Sequence, residues 1–194
     1  MDYSASRDFI LGKLKKELSP ILYYHGLHHT LDVMAVAESL CVQENINDHD
    51  TLLVKTAATF HDCGFLRSNF HHEILGCDIV REYLPSFGYQ EEAIKKICGM
   101  IMATRIPQSP KNNLEEIICD ADLDYLGRDD FKKIGDTLFK ELKAHDYIET
   151  RQQWDALQIS FLEKHTFFTK SSRDKRATKK AMHLAALKEK VQKV

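Results

Sequence analysis

His61 and Asp62 stand side by side at the end of an apolar run, Leu53 to Phe60, just before Gly64. A histidine lies upstream at position 29. Downstream come the pair His72-Glu73 and the acidic cluster Asp120-Ala121-Asp122. Imidazole and carboxylate are the donors that hold a divalent ion with open coordination positions, and two of each stand on separate stretches of chain. An isolated His-Asp pair has an ordinary explanation in surface or capping chemistry. Here it ends a segment that reads as buried helix, so it faces the interior, where charges require partners or a metal. Adjacent helical residues diverge by roughly 100°. A long imidazole and a short carboxylate can still lean toward one centre at a helix end. Gly64, taking the left-handed conformation, is expected to close the helix there. Such a donor set suits Mn, Fe, Co, Ni or Zn better than Ca or Mg, without excluding Mg.

The elements that must position these groups read as helices throughout. Residues 7–18 place Phe9, Ile10, Leu14 and Leu18 near one face, and residues 30–43 do so with Leu31, Met34, Val36, Leu40 and Val42. Asp48 or Asp50 is the expected N-cap of a helix through Leu52, Leu53, Ala57 and Phe60. A helix over 72–84 carries Ile74, Leu75, Ile79, Val80 and Leu84 and ends at Pro85. Further helices are expected over 90–103, 113–120, 130–143, 150–164 and 174–192, with a break at Pro107-Gln108-Ser109-Pro110. No hairpin signal, repeat or low-complexity tract stands out. The expectation is one all-α domain over residues 1–194, a bundle of about eight or nine helices.

Composition narrows the function classes. Four prolines and eight glycines among 194 residues suit a compact helical chain. The formal net charge of -2 gives no general attraction for nucleic acid. The segment from Lys170 onward holds nine Lys or Arg, but its Met182, Leu184, Leu187 and Val191 suit docking one face and solvating the other. No apolar run is long enough for a bilayer, which argues against a membrane partner. The first residues lack the basic start and apolar core of a signal peptide. The five cysteines form no C-x-x-C and sit mostly in apolar runs, so they read as reduced, buried thiols of a cytoplasmic protein.

Three segments carry a family resemblance. Tyr24-His25-Gly26-Leu27-His28-His29-Thr30, Phe60-His61-Asp62-Cys63-Gly64-Phe65 and Cys119-Asp120-Ala121-Asp122-Leu123-Asp124-Tyr125-Leu126-Gly127 occur in that order. Together they resemble the HD-domain superfamily of metal-dependent phosphohydrolases, over about residues 20 to 128, with helices over 130–194 packing on that part. The resemblance implies His29, His61, Asp62 and Asp122 as metal ligands. Asp120 and Asp124 would orient ligands or cap the local turn, and His25 would serve the ligands from behind. His72-Glu73-Ile74-Leu75-Gly76 resembles the place where some relatives carry an extra histidine. The downstream helix, Gly99-Met100-Ile101-Met102-Ala103-Thr104-Arg105, has no histidine for a second ion, and the Gly-Tyr-Pro signature is absent. One divalent transition metal is therefore expected, with Asp62 available to bridge to a weaker second ion.

The implied activity is hydrolysis of a small phosphoester, a nucleotide foremost, by a metal-activated water. His72 and Glu73 are the candidates for proton exchange, and Arg105 for clamping a phosphate. Two other classes stand beside it: a metal-stabilised regulatory or ligand-binding domain with little turnover, and a di-iron redox enzyme. The missing downstream histidine argues against the latter.

Overall fold

The computed structural model describes residues 1–193, and among these the ordered elements are helices, with no strand. They are α1 (Tyr3–Glu17), α2 (Leu27–Gln43), α3 (Asp48–Phe60), α4 (His72–Tyr83), α5 (Glu91–Ala103), α6 (Asn113–Asp122), α7 (Phe131–Ala144), α8 (Arg151–Lys164) and α9 (Lys170–Gln192). Short 3-10 turns lie at Cys63–Leu66, Leu84–Phe87 and Asp124–Gly127. No described helix is long and apolar enough to cross a membrane.

Helix starts follow from side chains that accept otherwise unpaired backbone N–H groups. Asn47, rather than Asp48 or Asp50, caps α3, its Oδ1 accepting from the Asp50 N–H at 3.0 Å. Thr150 and Gln153 form a reciprocal capping box at the start of α8. α9 begins at Lys170, four residues before the expected start, because Thr169 supplies the cap.

α3 runs through the middle of the first core and packs on α1, α2, α5 and α6. Leu53, Val54, Ala57, Ala58 and Phe60 of α3 are fully buried there. On α2 the buried stripe is His29, Val33, Ala37 and Leu40, a run at helical spacing that includes one imidazole. Leu31 and Val42, expected on the core face, are exposed (46% and 74%), as is Ile74 of α4. The stripe with the largest apolar side chains is not the one that meets α3 and α6; a smaller, partly polar stripe is, and it carries His29 inward.

A second core gathers Tyr24, Leu123, Tyr125, Leu126, Phe131, Leu162 and Phe167. Leu184 and Leu187 of α9 pack against it, whereas Met182 and Val191 are exposed. The basic face of α9 is not simply solvated. Arg176 makes a paired contact with Asp124, Nε to Oδ1 at 2.7 Å and Nη2 to Oδ2 at 2.9 Å. Lys180 donates to the last carbonyls of α8, at Leu162 (2.8 Å) and at His165. All five cysteines are buried and free.

Gly64 is not left-handed; among the described glycines only Gly88 has positive φ. Its requirement is contact. A Cβ at position 64 would lie 1.8 Å from the His72 carbonyl oxygen and 2.6 Å from its carbon. The turn after His61-Asp62 thus sits directly on the first turn of α4, which brings His72 and Glu73 beside the pair. Gly64→Ala is expected to destabilise the fold by about 3 kcal/mol, because backbone must move to admit the methyl. Gly12→Ala, in the interior of α1 with nothing within 4 Å, is expected to stabilise by roughly 0.5–1 kcal/mol. Urea denaturation of the two variants checks both signs.

Candidate metal centre

Three helix ends converge. His29 comes from the first turn of α2. His61 extends the Leu53–Ala57 stripe of α3 by one more turn, and Asp62 follows as the chain leaves the helix. Asp122 is the last residue of α6, one turn beyond the buried Ile118. The His29 Nε2 lies 3.0 Å from Asp122 Oδ1 and 3.4 Å from His61 Nε2, and the His61 Nε2 lies 3.7 Å from Asp122 Oδ1. Asp62 Oδ2 is 3.2 Å from the His61 Nε2 and 3.5 Å from that of His29.

The spacings among His29, His61 and Asp122 suit one cation, and Asp62 adjoins that trio through its contacts to the two histidines. With bonds of about 2.1 Å to nitrogen or oxygen, neighbouring ligand atoms around an ion lie about 3.0 Å apart at right angles and about 3.4 Å apart at tetrahedral angles. His29, His61 and Asp122 form a group of donors able to hold a metal ion. Asp62 Oδ2 is buried with no hydrogen-bond partner, and a buried carboxylate oxygen without a donor is costly unless a cation satisfies it. The His61 Nδ1 lies 2.8 Å from the Ala58 carbonyl, which can only accept, so Nδ1 donates and Nε2 turns its lone pair to the cluster.

The local field favours positive charge. Burial opposes charge on His61, but the adjacent Asp62 and then Asp122 lift its pKa to about 9. Burial would raise the pKa of Asp62, yet His61, His25 and His29 hold it far below the usual carboxylate range. Left to protons alone, the cluster gathers positive charge where an ion would supply it.

Around the cluster, the three aspartates at the end of α6 divide their tasks. Asp122 faces the histidines. Asp120 accepts from the Phe168 and Thr169 N–H groups (2.9 and 2.8 Å) and from the Thr169 hydroxyl (2.7 Å), which fixes the start of α9. Asp124 pairs with Arg176. Behind the 3-10 turn that follows, Gly127 lets α9 approach; a Cβ there would lie 2.5 Å from the Arg176 Cβ.

The half-buried His72 presents its Nε2 at 3.5 Å from Asp62 Oδ1 and 3.6 Å from Glu73 Oε1, and Glu73 is buried. Burial holds His72 below its ordinary pKa despite the two carboxylates. Phe65 packs beside two imidazoles, with its ring centroid 4.2 Å from that of His72 and 4.4 Å from that of His25. His28 is exposed. Arg105, expected near a phosphate, is also exposed and is not among the residues lining the cavity beside the cluster; its neighbours Thr104 and Ile106 are. α5 ends at Ala103, and the chain beyond it turns that guanidinium outward.

That cavity measures about 390 Å³. Asp62, Asp122, His72 and Glu73 stand at one end, and α7 and α8 form the other with Leu138, Leu142, Trp154, Leu157, Phe161 and Leu162. Sequence reasoning missed this chamber, although residues 130–143 and 150–164 show the periodicity of its walls. It also missed Glu141. This carboxylate falls on the stripe of Ile134 and Leu138, and one acid on an apolar stripe was the available signal. Glu141 is 3% exposed. Its Oε2 accepts from the Tyr24 and His25 N–H groups (2.7 and 3.0 Å), and its Oε1 bonds the His25 ring at Nδ1.

A sequence model of the HD domain matches residues 26–124, just over half of the chain. The chain therefore belongs to the HD-domain family. Its fold is similar to the crystal structure of a predicted HD superfamily hydrolase from an uncultured Thermotogales bacterium. The TM-score is 0.61 and the identity 17%, over 98% of this chain and 91% of that one. No curated protein matches the chain significantly in sequence.

Burial opposes ionisation of Glu141, but the His25 ring and the two amides outweigh it and hold its pKa below the ordinary value. A depressed carboxylate contributes stability that is present above its unfolded pKa of about 4.3 and is lost as pH falls through the folded value. Glu141→Gln is thus expected to cost about 2 kcal/mol at pH 7. The gap to the native chain should narrow as pH drops below about 4. Urea titrations across that range check the sign; a gap that widens in acid would contradict it.

Proposed function

We propose that the protein is a metal-dependent phosphohydrolase acting on a small phosphoester, with His29, His61, Asp62 and Asp122 holding one divalent transition ion. The observation that carries this reading is the convergent donor group of His29, His61 and Asp122, with Asp62 3.2 and 3.5 Å from the two histidines and both carboxylates lining a cavity sized for a small molecule. The chemistry of the donors favours Mn, Fe, Co, Ni or Zn. Bound there, such an ion supplies a Lewis acid and brings the pKa of water toward neutrality.

The protein's own groups do the rest. His61 is oriented by the Ala58 carbonyl, so its Nε2 needs no reorganisation to act as a ligand. Asp62 presents Oδ2 to the two ligand histidines and Oδ1 toward His72, which couples the metal centre to the group best placed to move a proton. His72, held flat against Phe65, exchanges a proton with water or with the departing alkoxide, and Glu73 beside it sets the local charge. Phe65 packed against both rings, and the buried Glu141 bonded to His25, keep the imidazoles from turning. A nucleotide is one ester the reading admits. Arg105 has no part in it, since its side chain is outside the cavity lining.

The test is metal content and phosphate release measured together. Protein loaded with Mn, Co or Zn is expected to hold about one ion per chain and to release phosphate from simple phosphomonoesters. Asp62→Ala is expected to lose both ion and turnover while keeping its helical circular dichroism. An Asp62→Ala protein that retains stoichiometric metal would overturn the ligand assignment.

A further inference from the structure

The cavity beside the metal cluster has two chemically unlike ends, and its lining holds no lysine or arginine among the described residues. Its carboxylates are Asp62, Glu73 and Asp122, and its basic groups are the imidazoles of His72 and of His25, the latter already paired with Glu141. A ligand carrying several phosphates would meet three carboxylates with one metal ion and these two imidazoles to offset them. A single phosphate on the ion leaves the rest of the ligand to the other end. That end is walled by Leu138 and Leu142 of α7 and by Trp154, Leu157, Phe161 and Leu162 of α8.

Two polar groups of α8, Trp154 and Gln158, are set into this largely apolar wall. Trp154 is 3% exposed, and its indole Nε1 has no hydrogen-bond partner. Buried indole N–H groups are normally paired. A lone acceptor on the bound molecule, such as an ether, ester or carbonyl oxygen, would satisfy it without making the chamber polar.

We propose that the chamber between α7 and α8 binds the apolar alcohol portion of a phosphomonoester, so that the ligand is an alkyl or aryl phosphate rather than a nucleoside polyphosphate. This rests on the reading of the cluster as the phosphate-handling centre and names the ligand class that reading leaves open. The selectivity comes from two features of this chain: a cavity lining without lysine or arginine among the described residues, and a wall whose burial energy grows with ligand apolar surface.

Trp154 is the sole tryptophan of the chain, so its fluorescence reports directly on the chamber. The metal-loaded full chain is titrated with ethyl-, butyl-, hexyl- and octylphosphonate, which share a headgroup and cannot be hydrolysed. Affinity is expected to rise about three- to fourfold per buried methylene until the chamber is filled, with a blue shift of the tryptophan emission. AMP and ATP are expected to bind more weakly than octylphosphonate and to leave the emission unmoved. Leu157→Asp alters a wall residue that is 47% exposed and so is compatible with folding; it should abolish the chain-length dependence with metal content unchanged. Affinity independent of chain length, or tighter binding of ATP than of octylphosphonate, would overturn the proposal. Chain-length-dependent binding without phosphate release from any of the matching alkyl phosphates would uphold the ligand class and overturn the hydrolase reading.

Discussion

The structure is organised around a concentration of negative charge that the protein alone does not balance. Asp62, Glu73 and Asp122 line one end of a single cavity, and Asp62 is buried with an oxygen that accepts no hydrogen bond. The neighbouring carboxylates draw a proton to His61 against its own burial. A divalent ion relieves the negative charge while leaving each imidazole neutral and each carboxylate ionised, the states in which they are best ligands. The cluster is therefore poised for a cation, and the ends of α2, α3 and α6 meet at one point because each brings a donor to it.

The same economy appears at the end of α6. Three aspartates alternate along it, and the chain changes from α-helix to 3-10 turn between the second and the third. That change of winding sends the three carboxylates in different directions: one to the start of α9, one to the metal cluster, one to Arg176. Asp120 and Asp124 thereby clamp α9, and α9 with Lys180 holds the end of α8. The helix that lines the apolar chamber is thus tied to the same short segment that supplies a ligand. Glu141 makes the reciprocal link, reaching from α7 to the backbone of Tyr24 and His25 at the entrance to α2.

Much of this was legible in the sequence because helical period is a strong signal in a chain with few turn residues. The number and order of helices and the location of the His61-Asp62 pair at a buried helix end follow from it. What period does not reveal is which apolar stripe faces the core when a helix has two. On α2 the stripe through Leu31 and Val42 was the richer one, yet α3 and α6 approach closely enough to prefer Val33 and Ala37. Period is equally silent about direction beyond a helix end, which is why Arg105 was placed toward the cluster and is found exposed. Gly64 shows a third limit. A glycine after a helix suggests a left-handed cap, whereas its need here is set by α4, distant in structure logic though near in sequence.

The chamber between α7 and α8 adds a constraint on chemistry that the ligand set alone does not impose. Ligands define a place for an ion and leave its substrate open, since many reactions share such donors. On the proposed reading, a wall of leucines and aromatics would act on the part of the molecule that does not react. Its contribution to rate would come through position: apolar surface buried remotely from phosphorus would hold the ester bond beside His72. Because the lining carries three carboxylates and no lysine or arginine among the described residues, the proposed ligand class would exclude extended anionic groups. Specificity on this reading would follow from what the fold places opposite the cluster as much as from the cluster itself.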